Sequence, residues 1–221
     1  MKALIACEES QRVCMAFREK GHEAYSCDIL KPSGGHPEWH ILGDVIPFVN
    51  GDCTFKTMDG VEHTIGGKWD LIIAHPPCTY LTVAANKYYN IEKYGEKAKQ
   101  RCAQRETAIE FFMQFVNANC ERIAIENPVG VMSTVYRKPD CIIQPYQFGH
   151  NERKTTCLWL KNLPPLIPTK IVGFEPIVFE SGRTDSKLHF ETWKMPEDER
   201  RRLRSETFIG IARAMAEQWG E

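Results

Sequence analysis

Two short apolar runs that each end in a polar, proline-containing segment constrain the fold of this chain more than any other feature. Leu71-Ile72-Ile73-Ala74 is followed by His75-Pro76-Pro77-Cys78, and Arg122-Ile123-Ala124-Ile125 by Glu126-Asn127-Pro128. Runs of this length bounded by prolines are typical of buried strands, because proline lacks the N–H that would extend the hydrogen-bond ladder. The sequence therefore predicts that Cys78 and Glu126 lie on one rim, at the mouth of a sheet.

The rest of the chain alternates predicted strands and helices. Lys2 to Ala6 predicts a strand, Glu9 to Lys20 a helix, Glu23 to Cys27 a second strand, and Lys99 to Asn117 a helix with one apolar face. This alternation predicts an α/β fold with a Rossmann-like, mostly parallel sheet and helices on both faces, where ligands bind beyond the carboxyl ends of the strands. Polar or reactive residues follow five predicted strands: Cys7-Glu8, Asp28, Asp44, Cys78 and Glu126.

The length of 221 residues fits a single domain covering residues 1–221. Met58-Asp59-Gly60 is typical of a turn between two strands, which predicts a hairpin insertion at 50–67. The proline-rich stretch 163–168 lies in what we expect to be a short variable region, 161–205.

Composition excludes several classes of protein. No apolar stretch approaches the roughly 20 residues of a membrane helix, and the start of the chain predicts a strand rather than a signal peptide. The formal net charge of -1 provides no overall attraction to a polyanion, so any nucleic-acid contact must be local. Nine dispersed cysteines without a Cys-x-x-Cys pair indicate reduced thiols in a cytoplasm, and no metal site is expected: His36 and His40 fall in a loop rich in proline and glycine.

A thiol and a carboxylic acid on one rim suit a particular chemistry. A thiolate that adds to C6 of a pyrimidine needs an acid at N3 of the ring to absorb the developing charge, and C5 then becomes a carbon nucleophile. Glu126 suits this role if its surroundings keep it protonated or sharing a proton. His75 precedes two prolines and is predicted to point along the strand, so a cysteine–histidine pairing is not indicated.

The residues that carry this chemistry also carry a resemblance. Pro76-Pro77-Cys78 resembles the Pro-Cys nucleophile motif of the cytosine-C5 DNA methyltransferase family, in the compact form found in phages and prophages, and Glu126-Asn127-Pro128 resembles its Glu-Asn-Val motif. The segment from Phe148 to Arg153 is similar to a third motif of the catalytic pocket. The resemblance implies DNA as partner, Cys78 as nucleophile, Glu126 as the acid at N3, and Arg153 as a third catalytic residue.

The same resemblance implies S-adenosylmethionine as cofactor. It matches Asp28 to the acidic residue on the ribose hydroxyls, and Gly43-Asp44-Val45 to the segment beside the adenine. The implied cofactor-binding residues are Cys7, Glu8, Asp28, Asp44, Val45, Pro77 and Gly210, the last from a closing motif at 207–212.

Two departures from the family pattern stand out. The family's first loop is glycine-rich, whereas this chain has Cys7-Glu8-Glu9-Ser10-Gln11 there, which makes cofactor binding through that loop less secure. The interval between Arg153 and Gly210 is short, so the target-recognition region is expected to be small or absent, and a partner protein could supply recognition.

Three alternative functions and two surface features also follow from the sequence. Amino-methyltransferases have an aromatic residue where Cys78 stands and Asp or Asn in place of His75, which disfavours that class. Two alternatives stay open: a pyrimidine-nucleotide C5-modifying enzyme acting on free nucleotide, and a non-catalytic relative that binds DNA or a protein.

The segment after Cys78 mixes aromatic and basic residues as a nucleic-acid contact would: Lys87, Tyr88, Tyr89, Lys93 and Tyr94. The arginine run at 200–204 is interpreted as a charged helix face.

Overall fold

The structure, a computed structural model, describes residues 1–221. The strands are β1 (Lys2–Ala6), β2 (Glu23–Asp28), β3 (His40–Leu42), β4 (Cys53–Lys56), β5 (Glu62–Ile65), β6 (Leu71–Ala74), β7 (Ile123–Pro128), β8 (Cys141–Ile143), β9 (Thr156–Lys161), β10 (Ile177–Val178) and β11 (Thr184–Asp185). The α-helices are α1 (Arg12–Glu19), α2 (Ile91–Tyr94), α3 (Glu96–Val116), α4 (Met132–Val135), α5 (Lys187–Thr192), α6 (Glu197–Ser205) and α7 (Ile209–Trp219). Short 3₁₀ turns cover Pro37–Trp39, Ile46–Phe48, Val83–Tyr89 and Pro145–Gln147.

Seven strands form one central sheet in the order β3-β2-β1-β6-β7-β9-β8. The pairs from β3 to β7 are parallel, and β9 runs antiparallel to both of its neighbours. A mostly parallel sheet in this order, with helices on both faces and one reversed strand near its end, confirms the predicted α/β, Rossmann-like fold class. The strand order reverses between β1 and β6, which is the place where ligands bind in such sheets.

Helices cover both faces of the sheet, which explains why its central strands are apolar without interruption. On one face Leu4 and Ala6 of β1 pack in the same core as Phe112 of α3. On the other face Ala3 and Ile5 pack with residues of α1 and α7. Successive side chains of a strand point to opposite faces, so one short apolar run contributes side chains to the hydrophobic cores on both faces of the sheet.

Several boundaries differ from the sequence prediction: α3 spans Glu96–Val116 rather than Lys99 to Asn117, and the strands that follow β7 were not predicted. Helix α1 begins at Arg12 rather than Glu9, because Gln11 is left-handed with φ 58° and interrupts the helix there. Strand β7 continues through Glu126 to Pro128 because β9 pairs along it, whereas its pairing with β6 stops at Ile125.

The hairpin predicted within 50–67 is present as β4 and β5, with Cys53 opposite Ile65. In the variable region, β10 pairs with β11, and α5 and α6 follow. The buried carboxylate of Glu152 ties this region to the rest by accepting the Leu188 amide at 2.6 Å. No helix in the chain is both long and apolar enough to cross a membrane.

Candidate active site

The candidate residues gather where β1, β6 and β7 end, which we call the carboxyl edge. Cys7 follows β1, the segment from His75 to Cys78 follows β6, and Glu126 lies just past the β6–β7 pairing. The carboxyl edge includes the reversal of strand order between β1 and β6. The short apolar strands therefore deliver a thiol and a carboxylate to the place where the fold binds ligands.

Cys78 is an exposed residue in a turn directly after two prolines. Its carbonyl accepts hydrogen bonds from the amides of Leu81 and Thr82, both at 3.0 Å, which closes the turn. Burial of the thiol by the surrounding protein and then the charge of Glu126 raise the pKa of Cys78, against a smaller opposing effect of Lys154. The thiol is therefore protonated at rest and must lose its proton before it can act as a nucleophile.

The surroundings of Glu126 favour its ionised form, whereas the sequence interpretation needs a carboxyl group that is protonated or shares a proton. Burial by itself raises the pKa of the carboxyl group, but the neighbouring His75, Lys154 and Thr156 outweigh it and hold the pKa below its usual range. A proton for N3 must consequently reach Glu126 from elsewhere.

His75 was predicted to point along the strand, and this prediction is wrong. Its Nδ1 lies 3.8 Å from Oε2 of Glu126, and its side chain is only 9% exposed. The sequence pattern could not reveal this contact, because it depends on β7 lying beside β6.

Lys154, not Arg153, stands next to the two catalytic candidates. Lys154 lowers the pKa of both Cys78 and Glu126, and its Nζ donates to the carbonyl of Glu206 at 3.3 Å. Arg153 is exposed, and only its backbone amide makes a hydrogen bond, to Glu152. Neighbouring residues of an extended segment point to opposite sides, so Lys154 shares its side with Thr156 and Arg153 does not.

Two further residues that sequence analysis missed hold the Cys78 segment in place. Asn127, 1% exposed, donates from Nδ2 to the carbonyl of Pro76 at 2.7 Å. Gly130 packs so closely on this segment that a Cβ there would lie 2.2 Å from the carbonyl oxygen of Leu81. Any side chain at position 130 would push the loop after β7 away from the loop that follows Cys78.

Cys7, Asp28 and Asp44 lie close together at the ends of the first three strands. Burial first, and then the charges of Asp28 and Asp44, raise the pKa of Cys7. Asp28 is half-buried, and its Oδ1 accepts the Leu30 amide at 2.9 Å; burial raises the pKa of its carboxyl group. Ile29, directly after Asp28, is 77% exposed and offers apolar surface beside this carboxylate.

The loop after β1 adopts backbone conformations that are typical of glycine, although it contains no glycine. Cys7 and Gln11 adopt φ values of 57° and 58°, a region that non-glycine residues rarely occupy. The buried carboxylate of Glu8 accepts the amides of Val13 and Cys14 at 2.6 and 3.1 Å. Glu8 therefore caps α1, and its carboxylate is not free to contact a cofactor.

The remaining predicted cofactor residues fall in different settings. Pro77 is exposed beside Cys78, whereas Val45 is 3% exposed and packs in the core on the α3 side. Gly210 allows α7 to pack closely against the backbone at Phe148, because a Cβ at position 210 would lie 1.9 Å from the carbonyl oxygen of Phe148. Its amide donates to Nε2 of His150 at 2.9 Å.

Arginines of α3 pack against the aromatic segment after Cys78. The Arg105 guanidinium lies 3.3 Å from the ring centre of Tyr89, and that of Arg101 lies 5.2 Å from the same ring. Lys87 and Lys93 remain exposed on this segment. The packed arginines and tyrosines support the segment, and the two lysines are its cations open to solvent.

Comparisons with known proteins add little to this geometry. No protein family model matches the chain, and no curated protein does. Among solved structures it is similar to an E. coli protein described as a "putative DNA modification methyltransferase encoded within prophage", with 13% identity and a TM-score of 0.44. The match covers 78% of this chain and 52% of the other, so the chain spans about half the length of that protein. A likeness this distant assigns neither a family nor an activity.

Proposed function

We propose that this chain is an S-adenosylmethionine-dependent DNA cytosine-C5 methyltransferase that works through a covalent Cys78 adduct. The observation that carries the proposal is the pairing at the carboxyl edge of the Cys78 thiol with the Glu126 carboxylate, whose charge raises the pKa of the thiol. Addition of a thiolate to C6 of a pyrimidine, assisted by an acid at N3, uses this pair of groups. The Rossmann-like sheet is compatible with this function, because both groups lie at the edge where such sheets bind ligands.

In this proposal Cys78 gives its proton to water and its sulfur bonds to C6 as N3 gains a proton; C5 then takes the methyl group, water removes the C5 proton, and the C6–S bond breaks as N3 returns its proton. Lys154 favours the thiolate, so we give it the role beside the adduct that the resemblance implies for Arg153. Glu126 orients the base through N3 and passes a proton to it. Arg153, exposed near the same edge, contacts the DNA backbone.

The residues around Asp28 fit the adenosine end of S-adenosylmethionine, which when bound supplies an electrophilic methyl group. Asp28 would accept from the ribose hydroxyls, Asp44 would face the adenine, and the exposed Ile29 would pack on the flat ring. Cys7 and Pro77 would border the space between cofactor and base. Val45 and Gly210 act through packing, and Glu8 through its cap on α1.

DNA is the proposed substrate, and its contacts would be local. A cytosine in a duplex must leave the base stack to reach Cys78. Lys87 and Lys93 stand on the segment that follows Cys78 and would neutralise phosphates near the flipped base. A partner protein that adds sequence recognition is compatible with the small variable region.

The proposal is tested with labelled S-adenosylmethionine offered to duplex DNA, single-stranded DNA and dCMP. We expect transfer to DNA, and a covalent adduct with DNA that contains 5-fluorocytosine, because fluorine at C5 blocks the final proton removal. Cys78→Ser should abolish both signals, while Cys53→Ser, a half-buried thiol in the hairpin, should leave them unchanged. Transfer to dCMP alone would favour the free-nucleotide enzyme, and DNA binding without transfer the non-catalytic relative.

A further inference from the structure

His75 occupies a position that structural packing does not account for. Its backbone amide donates to the carbonyl of Ala6 at 2.9 Å, but its ring nitrogens make no ordinary structural bonds. Nδ1 lies 3.8 Å from Oε2 of Glu126, and Nε2 is buried without any hydrogen-bond partner. An unpaired buried polar atom costs about 1–3 kcal/mol, and an ordinary core histidine avoids that cost by bonding both nitrogens.

Two carboxyl groups interact with this imidazole, and two further titratable groups interact with one of them. Glu126 on β7 and Glu8 on the loop after β1 both interact with the ring, and it opposes the burial that raises the pKa of Glu8. The other titratable groups at this end are Lys154, before β9, and the Cys78 thiol, both of which interact with Glu126. The ring therefore lies between Glu8 and Glu126, the carboxylate that we assign to N3.

The proposed reaction needs a proton that Glu126 does not hold at rest. Burial raises the pKa of Glu126, but His75 and Lys154 outweigh this effect, so the carboxylate is ionised. When Cys78 bonds to C6, the electron pair of the C5–C6 double bond moves into the ring, and N3 must gain a proton. When Cys78 leaves after loss of the C5 proton, N3 must return it.

We infer that His75 is the proton reservoir for Glu126: it gives a proton to the carboxylate as Glu126 protonates N3, and takes it back when the adduct breaks down. The inference rests on the proposed function. Atoms and charge balance, because one proton moves from Nδ1 through Glu126 to N3 and returns by the same path. No acceptor fixes Nε2, so the neutral ring is free to keep its remaining proton on either nitrogen. A small rotation closes the 3.8 Å gap, as catalytic hydrogen bonds commonly tighten when substrate binds.

The first test does not depend on activity. The ring nitrogen signals of His75 are recorded by NMR in ¹⁵N-histidine-labelled protein, and His75→Asn identifies them. In Glu126→Gln the ring nitrogen signals of His75 at neutral pH should move, because the ring then faces a neutral amide instead of a carboxylate 3.8 Å away. Unchanged ring signals would overturn the inference whether or not the protein is a methyltransferase.

The second test follows release of tritium from C5 of cytosine in DNA, which reports adduct formation apart from methyl transfer. His75→Gln should lower the exchange rate about 100-fold with unchanged affinity for DNA, because it removes the proton donor and not a DNA contact. His63→Gln in the hairpin, whose ring bonds Tyr25 and Thr57, is the matched control and should behave as wild type. His75→Asn repeats the measurement if His75→Gln does not fold.

The two tests separate the possible failures. If the wild type exchanges tritium and His75→Gln does so at the same rate, the reservoir role alone is overturned. No exchange in the wild type would overturn the proposed function, and with it the catalytic use of His75, while the NMR comparison would still decide whether His75 and Glu126 interact.

Discussion

The side-chain amide of Asn127 donates a 2.7 Å hydrogen bond to the carbonyl of Pro76, and this bond ties β7 to the segment that carries Cys78. Because both prolines before Cys78 lack an N–H, the sheet ladder cannot hold this segment, and a side chain does so instead. The distance between the proposed nucleophile and Glu126 therefore depends on the residue directly after Glu126.

We predict that Asn127→Ala lowers the free energy of unfolding by about 1–3 kcal/mol, because a buried carbonyl loses its donor. The covalent adduct with 5-fluorocytosine DNA should also form more slowly. Urea denaturation and denaturing gels measure the two effects. Asn117→Ala, at an exposed position after α3, is the control. Equal stability of the two variants would contradict the proposed role of the Asn127 hydrogen bond.

The pKa of Cys78 should respond in opposite directions to its two charged neighbours. Burial and then Glu126 raise this pKa and Lys154 lowers it, so Lys154→Met should move the thiol titration to higher pH and Glu126→Gln to lower pH. Alkylation of Cys78 by iodoacetamide, followed by mass spectrometry against pH, measures the midpoint. Lys138→Met, at an exposed position, should leave it in place. A shift in the same direction for both site variants would refute the arrangement.

Asp28→Ala should weaken binding of S-adenosylhomocysteine by about 1–3 kcal/mol, the cost of losing a hydrogen bond to a charged group. Calorimetry gives the affinity, and Asp198→Ala in the exposed first turn of α6 provides a matched loss of charge. The cofactor site is not where we propose it if Asp28→Ala and Asp44→Ala both bind like the wild type.

Glu8 should stabilise the protein as a hydrogen-bond acceptor rather than as a charge. Burial raises the pKa of its carboxyl group despite the opposing effect of His75, so the folded state favours the protonated form and the buried charge is a cost at neutral pH that declines as pH falls. Glu8→Gln, which keeps an acceptor, should be at least as stable as wild type at pH 7. Glu8→Ala should lose about 1–2 kcal/mol with the cap. Urea denaturation at pH 7 and pH 5 measures both, and a Gln variant less stable than the Ala variant would count against this role.

We expect the preference for a particular DNA sequence around the target cytosine to be weak or limited to a short sequence. The arginines of α6 are engaged within the protein: Arg201 pairs with Glu197, Arg202 with Glu206, and Arg204 donates to Thr192. This fits the predicted charged helix face and leaves few side chains to read base edges. Bisulfite sequencing of a plasmid from expressing cells tests the point; methylation confined to one long sequence would be incompatible with it.

The same view predicts DNA binding dominated by phosphate contacts. Affinity should fall steeply with salt, and replacing Lys87 and Lys93 by alanine should reduce the slope of log K against log salt by about 0.9 for each phosphate that is no longer neutralised. Lys20→Ala is the control, because Lys20 follows the C-terminal end of α1, away from the carboxyl edge, and pairs with Glu217. Equal slopes for all variants would remove the segment after Cys78 from the DNA-binding surface.

Local sequence was sufficient to predict the parallel strands of the sheet and the residues that follow them, but not β8 and β9, for which the sequence analysis predicted no strands. An apolar run closed by prolines depends only on neighbours in the chain, so the sequence alone could assign Cys78 and Glu126 to one rim. The alternation of strands and helices likewise predicted the Rossmann-like sheet, which the strand order confirms.

The contacts of these residues were decided only by the tertiary structure. His75 faces Glu126 because β6 and β7 are neighbours, although they lie far apart in the chain. Lys154 rather than Arg153 reaches the site because the extended segment before β9 turns that side chain toward Glu126. Strand adjacency and the direction of side chains arise from packing between distant segments, so a local pattern carries no information about them, and the protonation states at the carboxyl edge follow from those contacts.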